Sequence, residues 1–304
     1  MPDQSAVPSP KSATATSANN ATSRPPRRKG GPPRSVTVVR KEWLNPDMVR
    51  VYFTGSGLDD FPELVYTDHY VKIFFPPAGA GYSWPFDIDA IQESLPRDQW
   101  PVTRTYTIRS FDRETGELAI DFVVHGDSGL AGPWAAKAEP GAQLGFRGPG
   151  GAYAPEPGYD THLLVGDEAA IPAIAAALDR LPEESRALVF LEVADADHHQ
   201  PLPADERSEV VWVHRGEQPY GEPLATAVRE RGLPEGSFQT FVHGNAGMIR
   251  DLRRFLFVEN KVDRKQVSIS GYWRTGQNED AWQSGKREFM AGVEAEEEAA
   301  LTAG

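Results

Sequence analysis

The chain changes its pattern at Gly150, and that change constrains the fold more than any other feature. Before it lie short β-rich runs broken by turns. Val36-Thr37-Val38-Val39 and Val49-Arg50-Val51-Tyr52-Phe53 are strand-like, and the second alternates. Asp68–Phe75 is a third run, stopped by Pro76-Pro77. Residues 78–101 read as an irregular loop with a short helix near Asp89–Ser94. Val102–Arg109 and Glu117–Val124 are joined by an Asp112–Gly116 turn, and Ala142–Phe146 closes the set. Five or six short antiparallel strands with a short helix at Ala131–Lys137 predict a small β-barrel.

After Gly150 the segments alternate in kind. His162–Val165, Ala187–Val193, Val210–His214, Phe238–His243 and Gln266–Ser270 read as strands. Ala169–Arg180, Leu224–Arg231 and Ala246–Phe257 read as helices between them. Strands alternating with helices predict a parallel sheet with crossover helices. Residues 274–304 end in an acidic helix, with Glu294 and Glu296–Glu298 in its last turns. Acids there oppose the macrodipole and predict fraying.

The expected organisation is therefore a disordered tail at 1–34, a β-barrel domain at 35–152 and an α/β domain at 153–304. A length of 304 residues suits two domains. No run reaches the roughly 20 apolar residues of a membrane span. The first 35 residues lack the apolar core of a signal peptide. These features predict a cytoplasmic protein without membrane insertion, and a monomer. Cysteine is absent, which excludes disulfides, thiolate metal sites, iron–sulfur clusters and cysteine nucleophiles. The net charge is −13, yet residues 1–40 carry Lys11, Arg24, Arg27, Arg28, Lys29, Arg34 and Arg40 against Asp3 alone. The acidic body argues against nucleic-acid binding.

Two segments carry the chemistry. Arg104-Thr105-Tyr106-Thr107-Ile108-Arg109 is an R-x-Y-T run on a strand, with Arg104 and Tyr106 on one face. Alone it also reads as an ordinary edge strand. His125-Gly126-Asp127-Ser128-Gly129-Leu130-Ala131-Gly132-Pro133-Trp134-Ala135 is a glycine-rich turn entering a helix. Together they predict a flavin site. Tyr106 supplies an aromatic surface and Thr107 bonds the ring edge, with Ile108 following. Arg104 and the helix N-terminus hold the pyrophosphate. Asp121 and Val123 lie on the strand that feeds the turn, and Gly129, Ala131, Gly132 and Trp134 lie along it. His125 reads equally as a flavin contact or a turn contact.

Gly166-Asp167-Glu168 follows a strand and opens a helix, where a nicotinamide nucleotide would lay its phosphates. The G-x-G-x-x-G fingerprint is absent, and by itself the turn is a plain one with Asp167 as N-cap. Glu192 is placed to bond a ribose 2′-OH, whereas His214 and Arg215 could attract a 2′-phosphate, so NADH and NADPH both stay open. His198-His199 with Asp195 and Asp197 read as a solvated loop; no metal site is expected. No Ser-His-Asp or HExxH arrangement is present.

The chain resembles the siderophore-interacting proteins, flavin-dependent ferric-siderophore reductases of the ferredoxin–NADP reductase superfamily. The resemblance rests on Asp68–Phe75, Arg104–Arg109, Asp121–Ala135, Gly145–Gly151, Gly166–Pro172 and Gly271-Tyr272-Trp273-Arg274-x-Gly276-x-x-Glu279-Asp280. It implies an FAD-binding barrel and an NAD(P)H-binding-like α/β domain. It implies electron transfer from NADH, NADPH or a ferredoxin to Fe(III) held by a siderophore, without a catalytic acid, base or nucleophile. Lys72 resembles a lysine beside the flavin; with His69, Arg274 and Lys286 it forms the expected substrate side. Two departures stand out: Gly244-Asn245 replaces an A-G-E run, and Gly132 replaces a phosphate-binding serine. Another flavin reductase of the superfamily, or a non-catalytic siderophore-binding protein, is the alternative reading.

Overall fold

The structure, a computed structural model, describes residues 32–124, 126 and 129–303. The expected tail falls almost wholly outside them. Its last residue, Arg34, already belongs to the first strand, donates to the Gly57 carbonyl at 2.7 Å and pairs with Asp60.

Six strands form the first half: β1 (Arg34–Asn45), β2 (Met48–Thr54), β3 (Tyr70–Phe75), β4 (Val102–Asp112), β5 (Glu117–Val123) and β6 (Gln143–Gly150). They close into an antiparallel barrel in the order β1-β2-β5-β4-β3-β6. Alternation drives the closure: Val49, Val51 and Phe53 of β2, with Val71 and Ile73 of β3, point inward and are essentially inaccessible. Helix α1 (Ile88–Ser94) is capped by the Asp87 carboxylate. Helix α2 (Ala131–Lys137) stoppers one barrel end. Its Trp134 ring lies 6.3, 5.9 and 6.0 Å from those of Phe53, Phe75 and Phe122. Each such buried aromatic contributes about 1.5–3 kcal/mol.

The second half has five parallel strands: β7 (Thr161–Asp167), β8 (Arg186–Val193), β9 (Ser208–His214), β10 (Phe238–Asn245) and β11 (Val267–Trp273). Their order is β11-β10-β7-β8-β9. Both faces are covered, as near-continuous apolar strands require. Leu164, Val189 and Leu191 pack with α3 (Ile171–Leu178). Leu163, Val165 and Phe190 pack with α4 (Glu222–Arg231) and α5 (Ala246–Arg253). Helix α3 is shorter than expected because residues 167–170 form a hydrogen-bonded turn, with Pro172 in the first helical turn. Beyond Arg253, α5 continues as a π-helical turn over Arg254–Glu259.

The last helix, α6, is continuous over Glu279–Ala303, although its acids predict fraying. Three of those acids, Glu294, Glu296 and Glu297, meet arginines. Glu296 pairs with Arg250 at 2.7 Å, and buried Glu297 accepts from Arg253 and Arg264, each at 2.6 Å. Tertiary cations thus supply the compensation that the helix itself lacks.

Candidate functional site

Strand β4 pairs with β3 along Val102–Thr107 but meets β5 only from Ile108 onward. Among the described residues no strand covers the other edge of residues 103–107. Helix α6 reaches it instead. The Glu279 carboxylate accepts the Thr105 N–H at 2.9 and 3.2 Å, and Asp280 accepts from the Arg104 guanidinium at 3.1 Å. Burial pushes the Glu279 carboxyl above its usual range. Tyr106 is half-buried, 4.5 Å from Phe122 between ring centroids. Burial, then the nearby Glu279 charge, raises its phenol pKa. The phenol of Tyr272 on β11, also raised by burial, has the Thr107 side chain beside it. Ile108 does not face this edge: its side chain is in the barrel core and its N–H donates to His69 O at 2.7 Å.

The glycine-rich turn is described in part, and His125, Asp127 and Ser128 lie outside the described residues. Gly126 and Gly129 have φ of +56° and +82°, a region that side chains disfavour, and the space in front of both is open. Gly132 serves packing: a Cβ there would stand 2.7 Å from the Val123 carbonyl oxygen. Ala131 is buried in the barrel core, and the half-buried Val123 belongs to β5. Trp134 packs on the aromatic rings at the barrel end and is half-buried. Asp121 is also taken, by Arg50, at 2.6 and 2.8 Å.

A flavin needs a flat apolar surface, an edge of hydrogen-bonding groups and a cation near its phosphates. Tyr106, the β4 edge with Thr105 and Thr107, Arg104, and the glycines Gly126 and Gly129 match that set. Asp121, Ile108, Gly132 and Trp134 are committed to the barrel.

At the C-terminal ends of the sheet strands, Gly166 lies so close to its turn that a Cβ would stand 2.4 Å from that of Ala170. Asp167 is buried beneath it. It accepts from Asn245 N–H at 2.7 Å, Trp273 Nε1 at 2.8 Å and Ala169 N–H at 3.1 Å. Burial, then the Glu168 charge, pushes its carboxyl up to about 7. Asp167 is not the N-cap of α3; Ala170 holds that position without a side-chain cap. Glu192 is wholly buried and accepts from Gly221 N–H at 2.9 Å and Leu224 N–H at 3.3 Å, capping α4. Arg215 lies between Glu168 at 2.9 Å and Glu192 at 3.4 Å. Of the residues expected to choose between a ribose hydroxyl and a 2′-phosphate, Glu192 and Arg215 are therefore engaged internally, and His214 is exposed.

Lys72 is exposed on β3, directly across from Arg147 of β6. Arg147 was not expected from the sequence. Its guanidinium lies 5.4 Å from the Phe74 ring, and its Nε is buried without a partner among the described residues. Tyr70, 38% exposed, stands beside them over Gly150. His69 is buried behind this face, with Nδ1 3.1 Å from Gly150 O and Nε2 unpartnered among the described residues. Arg274 is exposed, 5.0 Å from the Phe289 ring. Lys286 is half-buried and donates to Ser270 Oγ at 2.9 Å, so it is a strut between α6 and β11 rather than a free cation. Burial lowers its ammonium pKa.

Residues 37–153 match the family described as siderophore-interacting FAD-binding domain, and residues 159–276 match the family described as siderophore-interacting protein. Ferric vibriobactin reductase ViuB of Vibrio cholerae is 34% identical over 85% of this chain and 95% of its own. The NADPH-dependent ferric-chelate reductase of Escherichia coli is 29% identical over 79% and 92%. The crystal structure of the siderophore-interacting protein SipS from Aeromonas hydrophila superposes with a TM-score of 0.73 at 30% identity, covering 85% of this chain and 98% of that one.

Proposed function

The chain belongs to the siderophore-interacting protein family, and from that premise we propose that it is an FAD-dependent ferric-siderophore reductase. The barrel, 35–152, is read as the FAD-binding domain and residues 153–304 as the NAD(P)H-binding-like domain. The observation that carries this reading is a juxtaposition. β4 presents Arg104, Tyr106 and Thr107 along an edge that no described strand covers, and its neighbour β3 presents Lys72 opposite Arg147.

Tyr106 would hold the flavin ring, Thr107 its edge and Arg104 its phosphates, with Gly126 and Gly129 leaving room for the rest. When bound, FAD supplies the conversion from paired to single electrons. The chain's own part is to bind, orient and exclude. Lys72 and Arg147 attract an anionic ferric chelate to the barrel face. The iron is substrate: as Fe(II) it is held more weakly by hard oxygen donors and leaves. Nothing in this assignment needs a side-chain acid, base or nucleophile.

NADPH or NADH is the proposed electron source, supported by the parallel sheet and by the name of the E. coli relative. Reduced ferredoxin is the second reading. It is favoured by the internal engagement of Glu192 and Arg215, which leaves neither for a nucleotide ribose.

The test is anaerobic. The FAD-loaded protein is photoreduced, and a ferric siderophore is added while the visible flavin bands are followed. Rapid reoxidation with Fe(II) appearing is the expected result. Bands that stay bleached would remove siderophore reduction and leave another superfamily reductase. No flavin bands after FAD addition would leave a binding protein.

A further inference from the structure

We propose that His199 and His214 form a two-nitrogen site for a divalent transition-metal cation, independent of the flavin and siderophore assignments. The two come from different elements. His199 follows the short helical turn Ala196–His198, and His214 ends β9.

His198 and His199 are neighbours in sequence, and the structure separates them. His198 is held by carboxylates, its Nδ1 2.7 Å from Asp195 and its Nε2 3.3 Å from Asp47. His199 turns the other way. Its ring lies on the Trp212 indole, with centroids 4.3 Å apart and planes within 17°. That stack fixes the ring and aims Nε2 at His214, where the two Nε2 atoms stand 2.8 Å apart. His214 is exposed and His199 half-buried, so a solvated ion can reach both.

The two nitrogens share a hydrogen bond in which one ring donates to the other, and a metal ion would take the place of that proton. Imidazole nitrogens bind such metals at roughly 2.1 Å; two at a right angle then stand about 3.0 Å apart, and at the tetrahedral angle about 3.4 Å. The observed 2.8 Å lies nearer the first value. Among divalent first-row ions, imidazole nitrogens bind Cu(II) most strongly and Ni(II) next. No group of three or more His, Asp or Glu that could hold a metal occurs among the described residues. The site thus offers two cis positions and leaves the rest to water or to a chelator that arrives with the metal. The net charge of −13 favours cation approach.

The probes are aqueous Cu(II) and the Ni(II)–nitrilotriacetate complex, which has two open cis positions. Untagged full-length protein is titrated by calorimetry, and the Cu(II) form is examined by pulsed electron paramagnetic resonance for coupled imidazoles. One Cu(II) per chain with two coupled imidazoles is expected. His199→Gln and His214→Gln should each weaken binding at least about tenfold, while His198→Gln leaves it unchanged. Circular dichroism confirms that each variant is folded. Should either substitution prove unfolded, Trp212→Ala, which frees the His199 ring, should weaken binding in its place. Equal Cu(II) affinity in folded His199→Gln and His214→Gln proteins, a single coupled imidazole, or a loss in His198→Gln as large as in the others would each overturn the assignment.

Discussion

Glu279 and Thr105 stand 174 residues apart in sequence and share a hydrogen bond, the carboxylate accepting the backbone N–H at 2.9 Å. Through it the start of α6 is fastened to the barrel strand that bears the flavin candidates. Asp280 makes a second fastening on Arg104. The cation proposed for a flavin phosphate thus already has an anionic neighbour.

Asp280 competes with phosphate for Arg104. Asp280 is more than half exposed, so the pair is worth at most about 1 kcal/mol. Asp280→Asn should lower the Kd for FAD about two- to fivefold, measured by quenching of flavin fluorescence. A higher Kd would show that Asp280 instead aims Arg104 at the cofactor.

Lys72 and Arg147 should act together on the substrate. Lys72→Ala and Arg147→Ala should each raise KM for an anionic ferric chelate about fivefold, roughly 1 kcal/mol, with flavin content unchanged. The effect should shrink as salt rises. Equal KM values for variant and parent would remove these residues from the substrate face.

The buried carboxyl of Asp167 makes stability depend on pH. Its folded value, about 7, is raised above the ordinary aspartate value of 3.8. Its contribution is therefore fully present below about pH 4 and is lost as pH rises through 7, by at most about 4 kcal/mol. Asp167→Asn removes that dependence. The Tm difference between parent and variant should shift in favour of the variant from pH 5 to pH 8. A difference independent of pH would show that the carboxyl is ionised throughout.

Gly132 separates a packing role from a phosphate role. Gly132→Ser places a Cβ against the Val123 carbonyl, 2.7 Å away before relaxation. It should destabilise the protein by roughly 1–3 kcal/mol in urea unfolding. Tighter FAD binding without loss of stability would restore the phosphate reading.

Much of the architecture was legible in local pattern. Alternation in Val49–Phe53 marked a half-buried strand, and the turn at Asp112–Gly116 marked a hairpin. The strand-helix alternation after Gly150 marked a parallel sheet. The R-x-Y-T run pointed to the barrel strand on which α6 closes. Arg147 was not legible, because its place opposite Lys72 depends on the β3–β6 register, set by barrel closure. Asp121, Ile108, Glu192 and Lys286 looked available in sequence because their partners Arg50, His69, Gly221 and Ser270 are distant along the chain.

Periodicity and turn chemistry act over a few residues, so the sequence by itself determined the succession of strands and helices and the two-part layout. Which polar side chains remain free for a ligand depends on nonlocal pairing and burial. Tertiary structure alone decided that Asp167 is buried, that α6 closes on β4, and that His199 leaves His198 to meet His214. A buried polar group must find a partner wherever the fold brings one, and that search is settled in three dimensions.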